Sequence, residues 1–424
     1  MKNMSIDSLL LPFQRFGVHL GLERINTLLT KLANPHHDVP IIHVGGSNGK
    51  GSVCAYLSSI LMEAGYKVGR YTSPHLIDWT ERICLNNKPI PKLYLREILL
   101  SIQDLILNDE DLPTQFEVIT AAALTYFKQE KVDIIVMEVG LGGRLDATNI
   151  CQAPLATVIT SISLEHCQNL GPTITDIARE KSGIFKPNCP VVIGEVPHEA
   201  KDIFTSQINT LNCPSVWVQS ATLTQHNSAI YKDIEYPLSL SGEVQLSNSA
   251  ISIEVIKILK QKGWNIPINC IKDGIQKTSW RGRLEWLNWQ SISLLVDGAH
   301  NPDAARQLRN YINNLNKSIQ SITWIIGIIN TKEHDKIFKE LLRDNETLYL
   351  VPVPEHDNIE PKNLLSSIIN SCVRLREIRV EKTLDSALKL TTNKRSNDNL
   401  VVLCGSLYLV GYLLKTIEYP NSKL

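Results

Sequence analysis

A glycine-rich turn that carries a lysine and a serine is the segment best suited to chemistry. Residues 45–52 read Gly-Gly-Ser-Asn-Gly-Lys-Gly-Ser, between a buried strand predicted over 39–44 and an apolar helical stripe from Val53 to Ala64. A turn in this position aims backbone N–H groups at whatever lies at the helix N-terminus, and Lys50 adds a full positive charge. The segment therefore predicts phosphate binding. A glycine-rich turn with a solvated lysine is the alternative.

The spacing of this turn differs from that of a strict G-x-x-x-x-G-K-[ST] loop. Gly51 stands between Lys50 and Ser52, and Gly45 lies one position too close to Gly49. No G-x-G-x-x-G follows the strand, which disfavours a dinucleotide-binding fold. The turn thus predicts phosphate binding outside a dinucleotide-binding fold.

The elements that must position this turn alternate between strands and helices. Strands are predicted over 39–44, 67–71, 132–139, 155–161, 292–296, 322–326, 347–351 and 400–404. Helical stripes lie between them, over 116–126 and 250–260 for example, and this order is typical of a parallel sheet covered by helices. We predict an α/β fold with a P-loop parallel-sheet ATP-binding domain over 1–287 and a smaller Rossmann-like α/β domain over 288–424. A small β-rich insertion is predicted near 196–244.

The composition excludes several classes of protein. The 424 residues include 43 basic and 43 acidic side chains, and a protein that binds nucleic acid or a membrane mainly through charge needs a basic surplus. Hydrophobic residues make up 43% of the chain, enough for a large core. Nine cysteines without a Cys-x-x-Cys pair favour free thiols, and with no apparent signal peptide they predict a cytoplasmic protein.

Seven segments form an ordered set along nearly the whole chain. They are 46–52 (GSNGKGS), 71–76 (YTSPHL), 138–149 (EVGLGGRLDATN), 164–166 (LEH), 177–185 (IAREKSGIF), 297–302 (DGAHNP) and 405–408 (GSLY). This set resembles the folylpolyglutamate synthase and dihydrofolate synthase family of the Mur ligase superfamily. Any one of these segments alone is a weak signal, but the ordered set is specific.

The resemblance implies an ATP-dependent amide ligase. It would add L-glutamate to dihydropteroate, and to reduced folates as well, through an acyl phosphate, with ADP and phosphate as products. A carboxylate acylates poorly, and phosphorylation supplies the leaving group that it lacks. The implied partners are small molecules, with ATP as co-substrate and one or two Mg²⁺ ions, and we expect a monomer that binds neither nucleic acid nor a membrane.

The family's magnesium ligands match Ser73, Glu138 and His166. Glu138 ends a predicted strand, where it could instead cap a helix or face solvent. His166 could be an ordinary packing residue, since Mg²⁺ prefers oxygen ligands. Ser73, without the resemblance, is a turn hydroxyl before Pro74.

Lys181 matches the carbamylated lysine of the family. A carbamate is an anion and could help to hold a second metal ion. An ordinary surface lysine is the alternative. Lys50, His166 and Lys181 are the residues to which the resemblance assigns catalysis.

The nucleotide would be bound from both domains. The ATP-binding residues implied by the resemblance are Gly46, Ser47, Asn48, Gly49, Lys50, Gly51 and Ser52, together with Asn248, Arg283, Asp297 and His300. Asn301-Pro302 is also a good helix start, with Asn as the N-cap.

The pterin would lie against three other segments. The residues that match the family's pterin contacts are His19, Leu20, Gly21, Leu22, Thr114, Gln115, Phe116, Glu117, Leu145, Asp146 and Ala147. Phe116 could stack on a flat heterocycle, and it also fits the apolar stripe of its own helix. The segments 331–333 (TKE) and 355–357 (EHD) depart from the family pattern in the part expected to bind glutamate or close the domains.

Three other functions compete with this prediction. A cell-wall Mur ligase acting on a UDP-linked peptide would have an extra N-terminal domain and lack the segment 138–149 as it stands here. A P-loop kinase or ATPase without a ligase step would not need the segment 297–302. A non-enzymatic ATP-gated protein would be expected to have lost Lys50, Glu138, His166 or Lys181, and all four are present.

Overall fold

The computed structural model describes residues 4–14, 19–37, 39–107, 109–224, 228–290, 292–315, 319–329, 334–354, 360–370, 373–393 and 399–419. The divergent segments 331–333 and 355–357 lie outside the described residues. The chain forms two compact units. The first comprises 1–74, 78–239 and 244–279, and the second comprises 75–77, 240–243 and 280–424.

The first unit is built on an eight-stranded sheet with the order β4-β3-β2-β5-β1-β6-β7-β8. The strands are β1 (Ile41–Gly45), β2 (Val68–Tyr71), β3 (Ile83–Leu85), β4 (Lys88–Pro89), β5 (Ile134–Glu138), β6 (Ala156–Ile159), β7 (Val191–Ile193) and β8 (Ser215–Trp217). Strands β2, β5, β1, β6, β7 and β8 are parallel, whereas β3 and β4 add an antiparallel edge. Parallel strands that are buried on both faces have continuous apolar sequences, and for this reason β1, β2, β5 and β6 could be predicted from the sequence.

Helices cover this sheet and begin at recognisable caps. They are α1 (Ile6–Leu10), α2 (Glu23–Lys31), α3 (Lys50–Glu63), α4 (Lys92–Leu105), α5 (Gln115–Gln129), α6 (Cys167–Leu170), α7 (Ile174–Ser182), α8 (His198–Leu211), α9 (Val244–Gln261) and α10 (Ile268–Lys277). A capping box in which Thr114 pairs with Glu117 opens α5, and a second one, Thr173 with Asp176, opens α7.

The segment 196–244, expected to be a β-rich insertion, contains a long helix as well as strands. Its first part is α8, where Ala200, Phe204 and Ile208 form a buried stripe at four-residue spacing. Strand β8 then extends the main sheet, and only β9 (Thr222–Leu223), β10 (Ser228–Tyr231) and β11 (Ile234–Pro237) form a separate antiparallel sheet. The polar residues between the members of the stripe hid the helix from the sequence.

The second unit has a six-stranded sheet with the order β12-β13-β17-β14-β15-β16. The elements are β12 (Glu285–Trp289), β13 (Ile292–Val296), α11 (Pro302–Asn313), β14 (Ser321–Ile326), α12 (His334–Leu341), β15 (Thr347–Leu350), α13 (Leu365–Asn370), β16 (Glu377–Val380), α14 (Leu384–Asn393), β17 (Asn399–Cys404) and α15 (Leu407–Glu418). All neighbouring strands are parallel except β12 and β13. The boundary predicted at residue 287 lies within β12.

Alternate residues of the central strands of this sheet enter two different apolar clusters. In β14, Trp324 and Ile326 belong to one cluster, and Ile325 belongs to the other. Since successive side chains of a strand point to opposite faces, both faces of the sheet are buried. The α/β class predicted from the sequence is thus confirmed in both units. In the described part of the chain, every helix is too short or too polar to cross a lipid bilayer.

Candidate active site

The turn after β1 is fastened to the segment that follows β6. The backbone N–H of Ser47 donates to the Ser161 carbonyl at 2.8 Å, and the Thr160 hydroxyl donates to the Asn48 carbonyl at 2.6 Å. Gly46 has a φ of 134°, and a Cβ there would lie 2.0 Å from Thr160 Oγ1. Only glycine fits this approach, so the neighbouring strand holds the shape of the turn before any ligand arrives.

Two ammonium groups converge on one carbonyl inside the turn. Lys50 Nζ donates to the carbonyls of Gly46 and Ser47, both at 3.0 Å. Lys181 Nζ, from α7, donates to the same Gly46 carbonyl at 2.8 Å. The sequence placed these lysines 131 positions apart, and the structure brings both to the phosphate turn.

Glu165 balances part of this positive charge. Its Oε1 lies 2.8 Å from Lys181 Nζ, and both side chains are almost completely buried. Burial raises the pKa of Glu165, but the ammonium groups of Lys181 and Lys50 outweigh it and bring that pKa down to about 2. Burial lowers the pKa of Lys181, and Lys50 acts in the same direction while Glu165 opposes both.

His166 lies beside this cluster in a left-handed conformation with a φ of 47°. Desolvation lowers the pKa of His166, and the ammonium groups of Lys50 and Lys181 lower it further, against the attraction of Glu165. A neutral imidazole can bind a cation through a ring nitrogen, whereas an imidazolium cannot. The surroundings of His166 therefore favour the form that a metal ligand needs.

Glu138 ends β5 on the other side of β1. Its register partner in β1 is Val44, and its Oε2 accepts the backbone N–H of Ser73 at 3.1 Å. Because carboxyl ends of parallel strands meet at one edge of the sheet, Glu138, the phosphate turn and the segment after β6 share that edge. Ser73 and Glu138 are thus brought together as the sequence predicted.

The predicted metal-binding residues supply some of the ligands that a hard cation such as Mg²⁺ needs. Glu138 offers a buried carboxylate and Ser73 a hydroxyl, which are oxygen ligands of the kind that Mg²⁺ prefers. Among the described residues no three His, Cys, Asp or Glu side chains form a group able to hold a metal ion. The predicted set contains only two residues of these types, so an ion bound here would need oxygens from its ligand or from water.

The first turn of α3 is packed against α9. Gln245 Nε2 donates to Ser52 Oγ at 3.4 Å, and Asn248 Nδ2 donates to Gln245 Oε1 at 3.1 Å. A Cβ on Gly49, whose φ is 88°, would lie 2.4 Å from Asn248 Oδ1. Asn248 therefore lies against the turn, as expected for a nucleotide-binding residue.

The three segments predicted to bind a pterin are neighbours. The N–H of Gly21 donates to the Leu145 carbonyl at 3.3 Å. Arg24 connects the segment 19–22 with the segment 114–117, because it donates to the His19 carbonyl at 2.9 Å and to Glu117 Oε2 at 3.1 Å. Within the described residues, the second carboxylate oxygen of Glu117 is buried and accepts no hydrogen bond. A buried acceptor of this kind suits a ligand N–H group.

Phe116 lies over the start of the loop 140–148. A Cβ on Gly140 would lie 2.3 Å from Phe116 Cζ and 3.0 Å from Asp146 Oδ2. The Phe116 ring is half-buried, with its centroid 6.1 Å from that of Tyr71. Phe116 therefore packs in part against the core, and stacking of its accessible part on a heterocycle stays a prediction.

The second unit contributes its own cluster at the end of β13. Asp297 Oδ2 accepts the N–H of Leu284 at 2.9 Å, and Oδ1 accepts that of Ala299 at 2.8 Å. Burial raises the pKa of Asp297, against the Arg283 guanidinium and these two N–H groups. His300 Nδ1 lies 2.8 Å from the Gly298 carbonyl. The predicted residues Arg283, Asp297 and His300 thus lie close together, with Arg283 before β12 and the other two after β13.

Three residues of these clusters were not predicted as site residues. Glu165 stood in a recognised motif, but nothing in the sequence showed its ion pair with Lys181. Arg24 lies two positions after the predicted segment 19–22, and its partner Glu117 is 93 positions away in the sequence. His43 is a polar residue inside an apolar strand, which was the signal that could have revealed it.

Comparison with known families decides between the competing functions. The Mur ligase middle domain matches residues 44–256. The C-terminal domain of dihydrofolate synthetase matches residues 282–416, which sets the chain apart from the cell-wall Mur ligases. The chain belongs to the dihydrofolate synthase and folylpolyglutamate synthase family.

Relatives of this family match almost end to end. The dihydrofolate synthetase of Saccharomyces cerevisiae is 32% identical over 425 residues, covering 94% of this chain and 98% of the yeast protein. The dihydrofolate synthase/folylpolyglutamate synthase of Bacillus subtilis is 30% identical and covers 95% and 96%. The structure of Escherichia coli FolC in complex with DHPP and ADP has a TM-score of 0.85 at 29% identity and covers 98% and 97% of the two chains. As a member of this family, the chain is a ligase that forms carbon–nitrogen bonds.

Proposed function

We propose that this ligase joins L-glutamate to dihydropteroate, and also to reduced folates, with ATP as the energy source. The observation that carries the proposal is the convergence of Lys50 and Lys181 on the Gly46 carbonyl, inside a glycine turn at the strand edge. The Lys50 ammonium group, the backbone N–H groups of the turn and a helix N-terminus form a site for a polyanion such as a triphosphate. Relatives named for both activities support the acceptor.

The first step transfers the γ-phosphoryl group of ATP to the carboxylate of the acceptor. The bond to the bridging oxygen breaks, ADP leaves, and an acyl phosphate forms. Lys50 would stabilise the charge on the transferred group, and the backbone N–H groups of the turn would orient it. Asn248 would support the nucleotide from α9, and Arg283, Asp297 and His300 would bind it from the second unit.

The second step is attack by the glutamate amine on the acyl carbon. Inorganic phosphate leaves, and the amine loses one proton as the amide forms. His166, kept neutral by its surroundings, is suited to hold a cation or to accept that proton. When bound, Mg²⁺ held by Ser73, Glu138 and His166 would neutralise charge on the phosphate oxygens.

Carbamylation of Lys181 is a second part of the proposal. Its buried ammonium group has a lowered pKa, which favours the neutral amine that reacts with CO₂. The carbamate would lie beside Glu165, and two neighbouring anions need a cation between them. We expect protein incubated with ¹³C-bicarbonate and Mg²⁺ to show a carbamate carbon signal that is absent in Lys181→Arg. The same signal in both proteins would contradict the assignment.

The acceptor would bind against 19–22, 114–117 and 145–147. The free oxygen of Glu117 is placed to accept an N–H of a pterin ring, and Phe116 can stack on its face. Arg24 would hold Glu117 in place through its ion pair. We further propose a cytoplasmic monomer, which size-exclusion chromatography and cell fractionation would test.

The deciding experiment measures ADP release with ATP, Mg²⁺ and glutamate. Dihydropteroate, tetrahydrofolate and a UDP-linked muramoyl peptide are added in separate reactions. We expect ADP release with dihydropteroate, and with tetrahydrofolate if the enzyme is bifunctional. Equal ADP release without any acceptor, or release with the UDP-linked peptide alone, would refute the proposal.

A further inference from the structure

A chain of three buried side chains connects the central strand β1 to the loop 140–148. His43 Nε2 lies 2.8 Å from Thr148 Oγ1, and Thr148 Oγ1 lies 2.5 Å from Asp146 Oδ1. His43, Thr148 and Asp146 are 1%, 0% and 3% exposed. A hydrogen-bonded chain at this depth is shielded from water, so each of its bonds constrains the next.

The direction of these bonds follows from counting protons. Burial raises the pKa of Asp146, against its hydrogen bonds with Thr148 and with backbone N–H groups. The Thr148 hydroxyl has a single proton, which it donates to Asp146 Oδ1. The Thr148 oxygen must then accept from His43, which requires the tautomer with hydrogen on Nε2. Burial lowers the pKa of His43 to about 3, so the ring is neutral at pH 7 and one tautomer is selected.

Asp146, at the end of this chain, closes the loop on itself. Its Oδ2 accepts the N–H of Leu141 at 2.7 Å, and its Oδ1 also accepts the N–H of Thr148 at 3.0 Å. One carboxylate therefore ties the two ends of the loop together. Turning this carboxylate would move Leu141 and Thr148, and with them the part of the loop in which the Leu145 carbonyl accepts the N–H of Gly21.

His43 is anchored at the other end by the sheet. It lies in β1, paired with Met137 of β5 on one side and with Thr157 of β6 on the other, two residues before Gly45. The phosphate turn starts from the same strand. The sheet thus fixes His43 relative to the phosphate turn. The hydrogen bond from His43 to Thr148 in turn fixes the loop 140–148 relative to both.

We infer that His43 is a positioning residue, which acts through Thr148 and Asp146 to hold the acceptor loop 140–148 in register with the phosphate turn. The inference rests on the proposed function, in which the acceptor carboxylate must meet the γ-phosphoryl group. A misplacement of about 1 Å between two reactants can cost about a hundredfold in rate. If His43 merely filled the core, its replacement would lower stability without raising KM for the acceptor more than KM for ATP.

The test compares a conservative and a disruptive variant at each partner of the His43–Thr148 hydrogen bond. His43→Gln keeps a donor at similar reach, and His43→Leu removes it. Thr148→Ser keeps the hydroxyl, and Thr148→Val removes it at nearly the same shape. Steady-state kinetics give separate KM values for dihydropteroate and ATP, and hydrogen exchange with mass spectrometry follows the loop 140–148 and the turn 45–52.

We expect His43→Leu and Thr148→Val to raise KM for dihydropteroate about tenfold, the effect of losing one buried hydrogen bond, with KM for ATP within about twofold of wild type. Exchange in the loop 140–148 should rise while that in the turn 45–52 stays unchanged. His43→Gln and Thr148→Ser should restore most of both properties.

The inference fails if Thr148→Val changes both KM values alike, or changes neither, while loop exchange stays at the wild-type level. The variants Thr148→Ser and Thr148→Val test the positioning role even if His43→Leu does not fold. If the wild-type protein does not use dihydropteroate, the proposed function fails, and the exchange measurement still shows whether His43 and Thr148 hold the loop.

Discussion

At the residue scale, the site depends on charges that are held close together away from water. Lys50 and Lys181 donate to carbonyls of the phosphate turn, and Glu165 pairs with Lys181, so one carboxylate balances two ammonium groups. A surplus of positive charge shielded from water is unfavourable by itself and becomes favourable when a polyanion binds. Before Lys181 is carbamylated, this arrangement would suit a polyphosphate.

Removal of Lys50 should abolish turnover without unfolding the protein. Its Nζ contacts only two carbonyls of its own turn, so Lys50→Ala loses little packing. We expect kcat to fall by about a thousandfold, as for other losses of an essential charge in the transition state, with an unchanged thermal midpoint. Lys201→Ala, an exposed lysine, is the control. Activity within tenfold of wild type would disprove the phosphate assignment.

Glu165 should make the protein sensitive to acid. Its pKa is about 2 in the folded state and 4.5 without the fold, so its stabilising contribution is present above pH 4.5 and is lost as pH falls toward 2. We expect the free energy of unfolding of wild type to drop over this range more steeply than that of Glu165→Gln. Denaturant titrations at several pH values measure the difference, with exposed Glu199→Gln as control. Parallel curves for wild type and Glu165→Gln would contradict the ion pair.

At the element scale, several of the candidate site residues lie where a strand or helix begins or ends. Glu138 ends β5, and the phosphate turn joins β1 to α3. Glu117 has two functions, since it caps α5 and accepts from Arg24. Asn301 caps α11 by accepting the N–H of Ala304 at 2.8 Å, with Pro302 in the first turn, which confirms the helix start predicted from the sequence.

Gly49 should tolerate no side chain, and Gly65 provides a matched control. Both have a φ of 88°, but a Cβ on Gly49 would lie 2.4 Å from Asn248 Oδ1, whereas one on Gly65 meets nothing within 4 Å. Gly65→Ala should cost about 1 kcal/mol of stability for its positive φ, with normal activity. Gly49→Ala should also weaken ATP binding, measured by calorimetry. Equal ATP affinity in the two variants would show that Asn248 does not support the turn.

At the scale of the whole molecule, the two units are not two successive halves of the chain. The segments 75–77 and 240–243 belong to the second unit although they interrupt the first. A Cβ on Gly411, in α15, would lie 1.8 Å from the Leu76 carbonyl, so α15 packs directly on the first of these segments. The second unit therefore includes residues encoded more than 200 positions before its main part.

Gly411→Ala should destabilise the second unit selectively. The added methyl group overlaps backbone that cannot rotate away, and overpacking of this kind costs about 1–3 kcal/mol. We expect a lower thermal midpoint and raised hydrogen exchange in the second unit, with little change in the turn 45–52. Thr416→Ala, at an exposed position of the same helix, is the control. An unchanged midpoint for Gly411→Ala would argue against this close packing.

Local patterns were sufficient to predict the four central strands of each of the two larger sheets and the phosphate turn. Buried parallel strands are continuous apolar runs, and a glycine turn before a helix has few other uses, so neighbouring residues carry the information. The outer strands of these sheets were missed, and so was α8, although its apolar residues have helical spacing.

Local sequence determined which residue types stand at the ends of strands, and it was sufficient to predict the class of chemistry and the family. Only the tertiary structure decided that Lys181 and Lys50 share one carbonyl, that Glu165 balances them, and that His43 reaches Thr148. The hydrogen bonds of His43 to Thr148 and of Lys181 to Gly46 join residues 105 and 135 positions apart. The order of strands in the sheet creates such contacts, and no local pattern contains that order, because pairing depends on the packing of the whole core.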